Sequence, residues 1–373
     1  MTSAPAAGEF ENCGQYKEIF AGPRGYDKKI EEEGPDQASY PNYLPTWDPS
    51  EKFPPLEPFT HLEHGHDADT TFSDLLPPSA EIDDLTPTIG TVICGVQLSN
   101  LTAAGRDQLA LLTAKRKVLA FRDQDFADQP IQDAVEFGRY FGRLHIMPVS
   151  GCPEGFPEVH VVHRGANDTS VQELLANRTS SVVWHNDVTY EEQPPGTTIM
   201  FILDGPHTGG DTLFADMTEA YARLSPIMQE RLHGLKAFHS GLEQVASSKA
   251  QGGIARREGS TAIHPLVRTH PVTGQRALFV NPQYVRYIVG MKKEESDAIL
   301  KFLYDHIALG ADCHVRVRWQ PKTVIVFDNR VVNHSGLLDW LDGSRRHLAR
   351  LTPQAERPYE TPFTHGQQNG NGL

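Results

Sequence analysis

The sequence predicts a mainly β protein with flanking helices, built on a jelly roll or a similar two-sheet barrel. Three observations carry this. After about residue 180 the chain breaks into short β-branched or aromatic runs, "TTIMFIL", "DTLFADM", "LKAFHSG", "HPLVRTH", "ALFVN", "HVRVRWQ", "KTVIVFDN" and "RRHLARLTP", divided by Gly, Pro and Asp turns. Helices are expected as insertions in that half, at "MTEAYARLSPIMQERLHG" and "KKEESDAILKFLYDHIA". The 373 residues, 39% of them hydrophobic, suffice to bury a sizeable core.

Taken in order, residues 1–85 are rich in Pro, acidic residues and aromatics, as in "YPNYLPTWDPSEKFPPLEPF", and read as an extended arm whose central aromatics dock on the domain. A globular domain is expected over 86–355. It begins with a β-like run around Val92 to Val96, a helix after Asn100 and a short strand from Val118 to Phe121. A second helix follows in "ADQPIQDAVEFGRYFGRLH", where Ile131, Val135, Phe137 and Phe141 fall on roughly one side and Gly142 stands near the end. Residues 356–373, ending in "THGQQNGNGL", read as a flexible tail.

The net charge of -14 speaks against nucleic acid or an anionic membrane surface as the main partner, since both call for a basic face. An anionic ligand must then be met by a few local Arg or Lys residues. The four cysteines, Cys13, Cys94, Cys152 and Cys313, are scattered without a CxxC pair, so neither a disulfide framework nor a cysteine zinc site is expected. With no leader-like start and no apolar run of about 18 residues, a soluble cytoplasmic protein is expected, and a homo-oligomer is compatible with it.

Chemistry enters at "SSVVWHNDVTYEEQPPGTT". If this apolar stretch is a strand, His185 and Asp187 stand side by side on one face and Asn186 on the other. A metal ion suits both inward groups. "VIVFDNRVVNHSG" offers His334 as a third ligand, in a turn-like stretch after a strongly apolar strand. Two His and one carboxylate on one side of a metal make the facial triad of non-haem Fe(II) oxygenases. Downstream, Arg346 and Arg350 lie four apart on an expected strand, so both guanidinium groups share one face, and two inward Arg residues in an acidic protein imply bound anions. On the residues alone, a zinc hydrolase or a cupin-like binding protein stays open.

"WHNDVTY", "GGDTLFADM", "HPLVRTHPVTGQRALFVN", "WQPKTVIVFDNRVVNH" and "RRHLARLTP" occur in an order that resembles the taurine dioxygenase family of Fe(II)- and 2-oxoglutarate-dependent oxygenases, over roughly residues 90 to 355. Within it the fungal sulfonate dioxygenases look closest. The resemblance implies a double-stranded β-helix core with His185, Asp187 and His334 on iron. It implies that Arg346, helped by Thr212, binds 2-oxoglutarate, and that Arg350 meets the acidic group of a small anionic substrate. With O2, the expected outcome is oxidation of a substrate C–H bond, giving succinate and CO2. Val188 and Tyr284 are expected at the pocket from their family positions. The resemblance departs at "LHIMPVSG": Met147 and Ser150 stand where the taurine enzymes carry a His and a Tyr. Met147 can neither donate nor accept a strong hydrogen bond. The expected substrate is therefore a sulfonate or sulfate ester with an apolar body, for which taurine is a poor choice, or else a carboxylate such as an amino acid.

Overall fold

The computed structural model describes residues 38–168, 170–250, 252–340 and 342–363. Fifteen strands are found among them. The first five are β1 (Glu81–Asp84), β2 (Thr91–Cys94), β3 (Val118–Phe121), β4 (His160–Arg164) and β5 (Thr197–Asp204). Next come β6 (Thr212–Asp216), β7 (Lys236–Ser240), β8 (Thr261–Pro265), β9 (Val267–Thr269) and β10 (Arg276–Leu278). The last five are β11 (Val285–Ile288), β12 (His314–Val317), β13 (Val324–Asp328), β14 (Val332–Gly336) and β15 (Arg346–Leu351).

Seven of these form the principal sheet, in the order β1-β2-β3-β13-β5-β15-β4, antiparallel except for the β2–β3 pair. Three smaller sheets, β12-β6-β14, β11-β7-β8 and β10-β9, complete the β framework. The architecture is the expected jelly roll.

Its middle strands are apolar at nearly every position because both faces are covered. Along β5, Met200 and Ile202 turn into the core shared with Phe214, Val317 and Val332 of the β12-β6-β14 sheet. Ile199, Phe201 and Leu203 alternate to the other face. There they pack against two helices, α1 (Ala103–Arg116) and α2 (Ile131–Tyr140), through Leu109, Val135 and Phe137. Thr102 caps α1 by accepting from the Gly105 amide. The stretch expected as one helix after residue 216 is two, Met217–Ala222 and Pro226–Leu232, because Ser225 and Pro226 start a new helix.

The arm docks through its aromatics. Tyr43 is fully buried, edge-on to Phe201 with ring centroids 5.6 Å apart, and its carbonyl accepts from His347 Nε2. Further along, Glu63 pairs with Arg330, which also holds Asp328 and Glu356; Glu356 in turn pairs with Arg268, and Asp328 with His270. One guanidinium thus ties the arm, the β13–β14 turn and the segment after β15 together. Residues 356–363, expected to begin a flexible tail, are held in this way and by Thr361 on Thr269; "THGQQNGNGL" and the first 37 residues lie outside the described ones. Among the described residues no helix is long and apolar enough to cross a membrane.

Candidate active site

His185, Asp187 and His334 offer ligand atoms that all lie within 4.8 Å of one another. Asp187 Oδ1 stands 3.8 Å from His185 Nε2 and 3.8 Å from His334 Nε2. The local backbone differs from the expected strand. His185 makes a single β-bridge with His334, through His185 N to His334 O (3.0 Å) and His334 N to His185 O (2.7 Å). The chain then turns at once, with Val188 at φ 41°, a left-handed conformation that is costly for a β-branched residue and marks a constrained site. His334, expected in a turn-like stretch, is instead in β14, paired with Phe214 of β6.

Neighbours hold each ligand in place. His185 Nδ1 donates to the Val183 carbonyl at 2.9 Å, which leaves the Nε2 lone pair for a metal. Asn186 points away from the ligands, as expected, and its amide donates to the carbonyls of Asn329 and Val332. Asn329 accepts from the Asp187 amide at 2.7 Å and donates back to the Asp187 carbonyl at 3.1 Å. The loop carrying two ligands is therefore stapled to the turn preceding the third.

Burial disfavours a charge on both imidazoles and lowers their pKa values, and the ring of His185 further depresses that of His334. Burial alone would raise the Asp187 carboxyl, but Arg350 and the two His outweigh it and hold it at about 2. Asp187 Oδ2 and His334 Nδ1 are buried without a hydrogen-bond partner among the described residues. Two neutral imidazoles, one ionised carboxylate and an unpaired carboxylate oxygen suit a first-row divalent ion such as Fe(II).

Arg346 and Arg350 are both buried on β15, as the spacing predicted. Arg346 Nε donates to the Gly210 carbonyl at 2.8 Å, and burial, then the nearby Arg164, lower its pKa to about 10. Two glycines make room for it. A Cβ on Gly210, which has φ +68°, would come 3.2 Å from Arg346 Cδ and Nε, and one on Gly336 3.6 Å from Nη2. Gly336 is the strand partner of Thr212, whose hydroxyl accepts from Trp319 Nε1 at 3.0 Å and keeps its own hydrogen to donate.

Arg350 reaches one of the triad residues, Asp187. Its Nη1 donates to Asp187 Oδ1 at 2.7 Å and its Nη2 to His160 Nδ1, while Nε is buried without a partner among the described residues. Next to Asp187 in the chain, Val188 packs with Met147, Tyr190 and Tyr284 in a small buried cluster, in which the two tyrosine rings meet edge-on at 5.1 Å. Glu191 follows Tyr190 and is committed to His145 and Arg257. Ser150 is not in this cluster; its carbonyl accepts from Arg256.

Sequence reasoning missed Asn329, Trp319, Tyr190 and His160. The polar triplet "DNR" between two apolar strands was the available signal for Asn329. For His160 there was none, since "VHVVH" lacks clean alternation and was not read as a strand.

A family model described as "Taurine catabolism dioxygenase TauD, TfdA family" matches residues 81–352. An α-ketoglutarate-dependent sulfonate dioxygenase of Saccharomyces cerevisiae is 44% identical over 336 residues, covering 89% of this chain and 82% of its own. An α-ketoglutarate-dependent sulfate ester dioxygenase of Pseudomonas putida is 31% identical, covering 72% and 88%. Among solved structures, a taurine dioxygenase from Burkholderia xenovorans superposes with a TM-score of 0.62 at 29% identity, covering 76% of this chain and 93% of that one. With the ligand geometry, the two inward arginines and the family model all spanning the same jelly roll, the chain belongs to the taurine catabolism dioxygenase family, TauD/TfdA.

Proposed function

We propose that this chain oxidises a C–H bond of a small organic sulfonate or sulfate ester. It is an Fe(II)- and 2-oxoglutarate-dependent dioxygenase. One atom of O2 enters the substrate and the other enters 2-oxoglutarate, which leaves as succinate and CO2. Hydroxylation at the carbon bearing the sulfonate, or bearing the ester oxygen, gives a product that collapses to an aldehyde with sulfite or sulfate. The observation that carries this reading is the triad of partly exposed His185 with buried Asp187 and His334, flanked by two buried arginines of one strand.

His185 and His334, each through Nε2, and Asp187 would hold the metal. When bound, iron and 2-oxoglutarate supply the oxidant that removes hydrogen from the substrate carbon. Arg346 offers its fork to the distal carboxylate of 2-oxoglutarate, and the Thr212 hydroxyl adds a second donor. Arg350 supplies the positive charge for the substrate's acidic group. Met147, Val188, Tyr190 and Tyr284 exclude water and pack the substrate body, which fixes the target carbon. Glu191, the acidic residue next to this wall, is already paired with His145 and Arg257. The three cysteines described are all free, which suits a reducing cytoplasmic location.

The test is a succinate-release screen over alkyl sulfonates, sulfate esters, taurine, amino acids and aryloxy carboxylates, scored for coupling of succinate to product. Tight coupling is expected with sulfonates or sulfate esters that carry an apolar body, and poor coupling with taurine. Tight coupling with an amino acid or a carboxylate alone would overturn the substrate class and keep the iron chemistry.

A further inference from the structure

The family's polar groups at the substrate site are absent from positions 147 and 150, yet the molecule places another imidazole beside Arg350. His160 and Arg350 are directly opposed across the β4–β15 ladder. The His160 Nδ1 atom is bonded to Arg350 Nη2. A guanidinium can only donate, so Nδ1 must present its lone pair and the ring hydrogen must sit on Nε2. Arg350 thereby sets the tautomer of His160. Nε2–H makes no hydrogen bond among the described residues, and His160 is only half-buried although Arg350 beside it is buried. The molecule thus holds an N–H donor next to its buried cation, on the strand that neighbours the metal-ligand contact.

We propose that His160 is a specificity-determining residue that binds the substrate's anionic group together with Arg350, supplying from strand β4 the donor that Met147 cannot provide. The inference rests on the reading that Arg350 meets the substrate anion. A tetrahedral sulfonate or sulfate presents three oxygens, and a neutral N–H beside a guanidinium gives two of them separate donors. Asp187 holds Nη1 of the same guanidinium, so the fork itself has limited freedom to satisfy every oxygen.

The test uses the full-length holoenzyme with hexanesulfonate and hexyl sulfate as probes, and three variants that separate the two ring nitrogens. His160→Gln places an amide donor near the position of Nε2. His160→Asn places an acceptor near Nδ1 and keeps the hold on Arg350. His160→Phe removes both. Two readouts are taken: KM against kcat, and the dissociation constant of each probe from its anaerobic perturbation of the visible Fe(II)–2-oxoglutarate band. The unperturbed band also reports that each variant is folded and loaded.

The expected result is a rise of about tenfold or more in KM and in the dissociation constant for the Asn and Phe variants, with kcat within about threefold, and near wild-type values for Gln. Recovery by Asn but not by Gln would mean that His160 only positions Arg350, and would overturn the proposal. So would wild-type values in all three variants, or a Gln variant as impaired as Phe. If neither probe perturbs the wild-type band while a carboxylate does, the organosulfur reading fails separately. The same series is then read with that carboxylate, because the donor pair serves any oxyanion.

Discussion

Arg350 and Asp187 form a buried ion pair, Nη1 to Oδ1 at 2.7 Å, and the oxygen they share is the one that faces Nε2 of both triad histidines. The cation proposed to address the substrate is thus in direct contact with a candidate metal ligand. Asp187 stays ionised because of it, so the ligand set is ready to take a divalent ion at any pH near neutrality.

This pair sets up an asymmetry among the triad residues. Replacing Asp187 by Ala leaves Arg350 as a buried cation without its carboxylate, at a cost of about 3 to 5 kcal/mol. Replacing His185 by Ala removes one hydrogen bond to Val183, worth about 1 kcal/mol. Both variants are expected to lose metal binding, but urea denaturation of the metal-free proteins should show Asp187→Ala clearly the less stable. Equal stabilities would contradict the role given to the pair.

At the other arginine, if the proposed bidentate contact with 2-oxoglutarate is made, Arg346→Ala is expected to leave metal binding intact and to raise the 2-oxoglutarate requirement by about two orders of magnitude. Gly210→Ala should reproduce a milder version. The added Cβ would press on Arg346 at 3.2 Å, and the left-handed backbone costs a further 1 to 2 kcal/mol or so. Titration of the visible band with 2-oxoglutarate measures both; normal affinity in Arg346→Ala would place the carboxylate elsewhere.

Glu63 should act as a latch for the arm. Burial would raise its carboxyl, but Arg330 outweighs this and holds it below the usual range. Glu63→Gln leaves Arg330 with Asp328 and Glu356, so the expected loss is modest, about 1 to 2 kcal/mol. Limited proteolysis should then cut within residues 38–80 faster than in the wild type, with the iron site unaffected. An unchanged cleavage rate would show that the aromatics alone hold the arm.

The fold is also expected to be acid-sensitive with a defined sign. Burial lowers His163 and His264 to about 4 and His347 to about 3. The unfolded chain therefore binds protons at these sites from about pH 6.5 downward while the folded one does not, and each unit of separation is worth about 1.4 kcal/mol. Glu63, Glu356 and Asp328, all held below their ordinary values, add stability that is lost at still lower pH. Thermal unfolding midpoints should fall steadily from pH 7.5 to 4, and His347→Gln should shallow the decline between pH 6.5 and 5. A midpoint independent of pH would refute this.

Much of this was legible in the sequence because the relevant signals are local. Val118–Phe121 reads as a strand from its own residues, and the spacing of Arg346 and Arg350 gives their shared face directly. The residues at 185–188 were harder. Apolar neighbours imply a strand, but tertiary hydrogen bonds to Asn329 and His334 hold the chain in a bridge and a turn instead. His160 escaped notice for a related reason: its meaning lies in a partner on β15, and nothing in its own neighbourhood records that pairing.

The contact between Asp187 and Arg350 spans 163 residues of chain, and the third ligand lies on the late strand β14. A nascent polypeptide still short of that strand carries only His185 and Asp187, two ligands on one loop with no opposing strand to brace them. The three-residue site can then form only once β14 has been made. Products terminated before β14 should be unable to hold a metal through this triad.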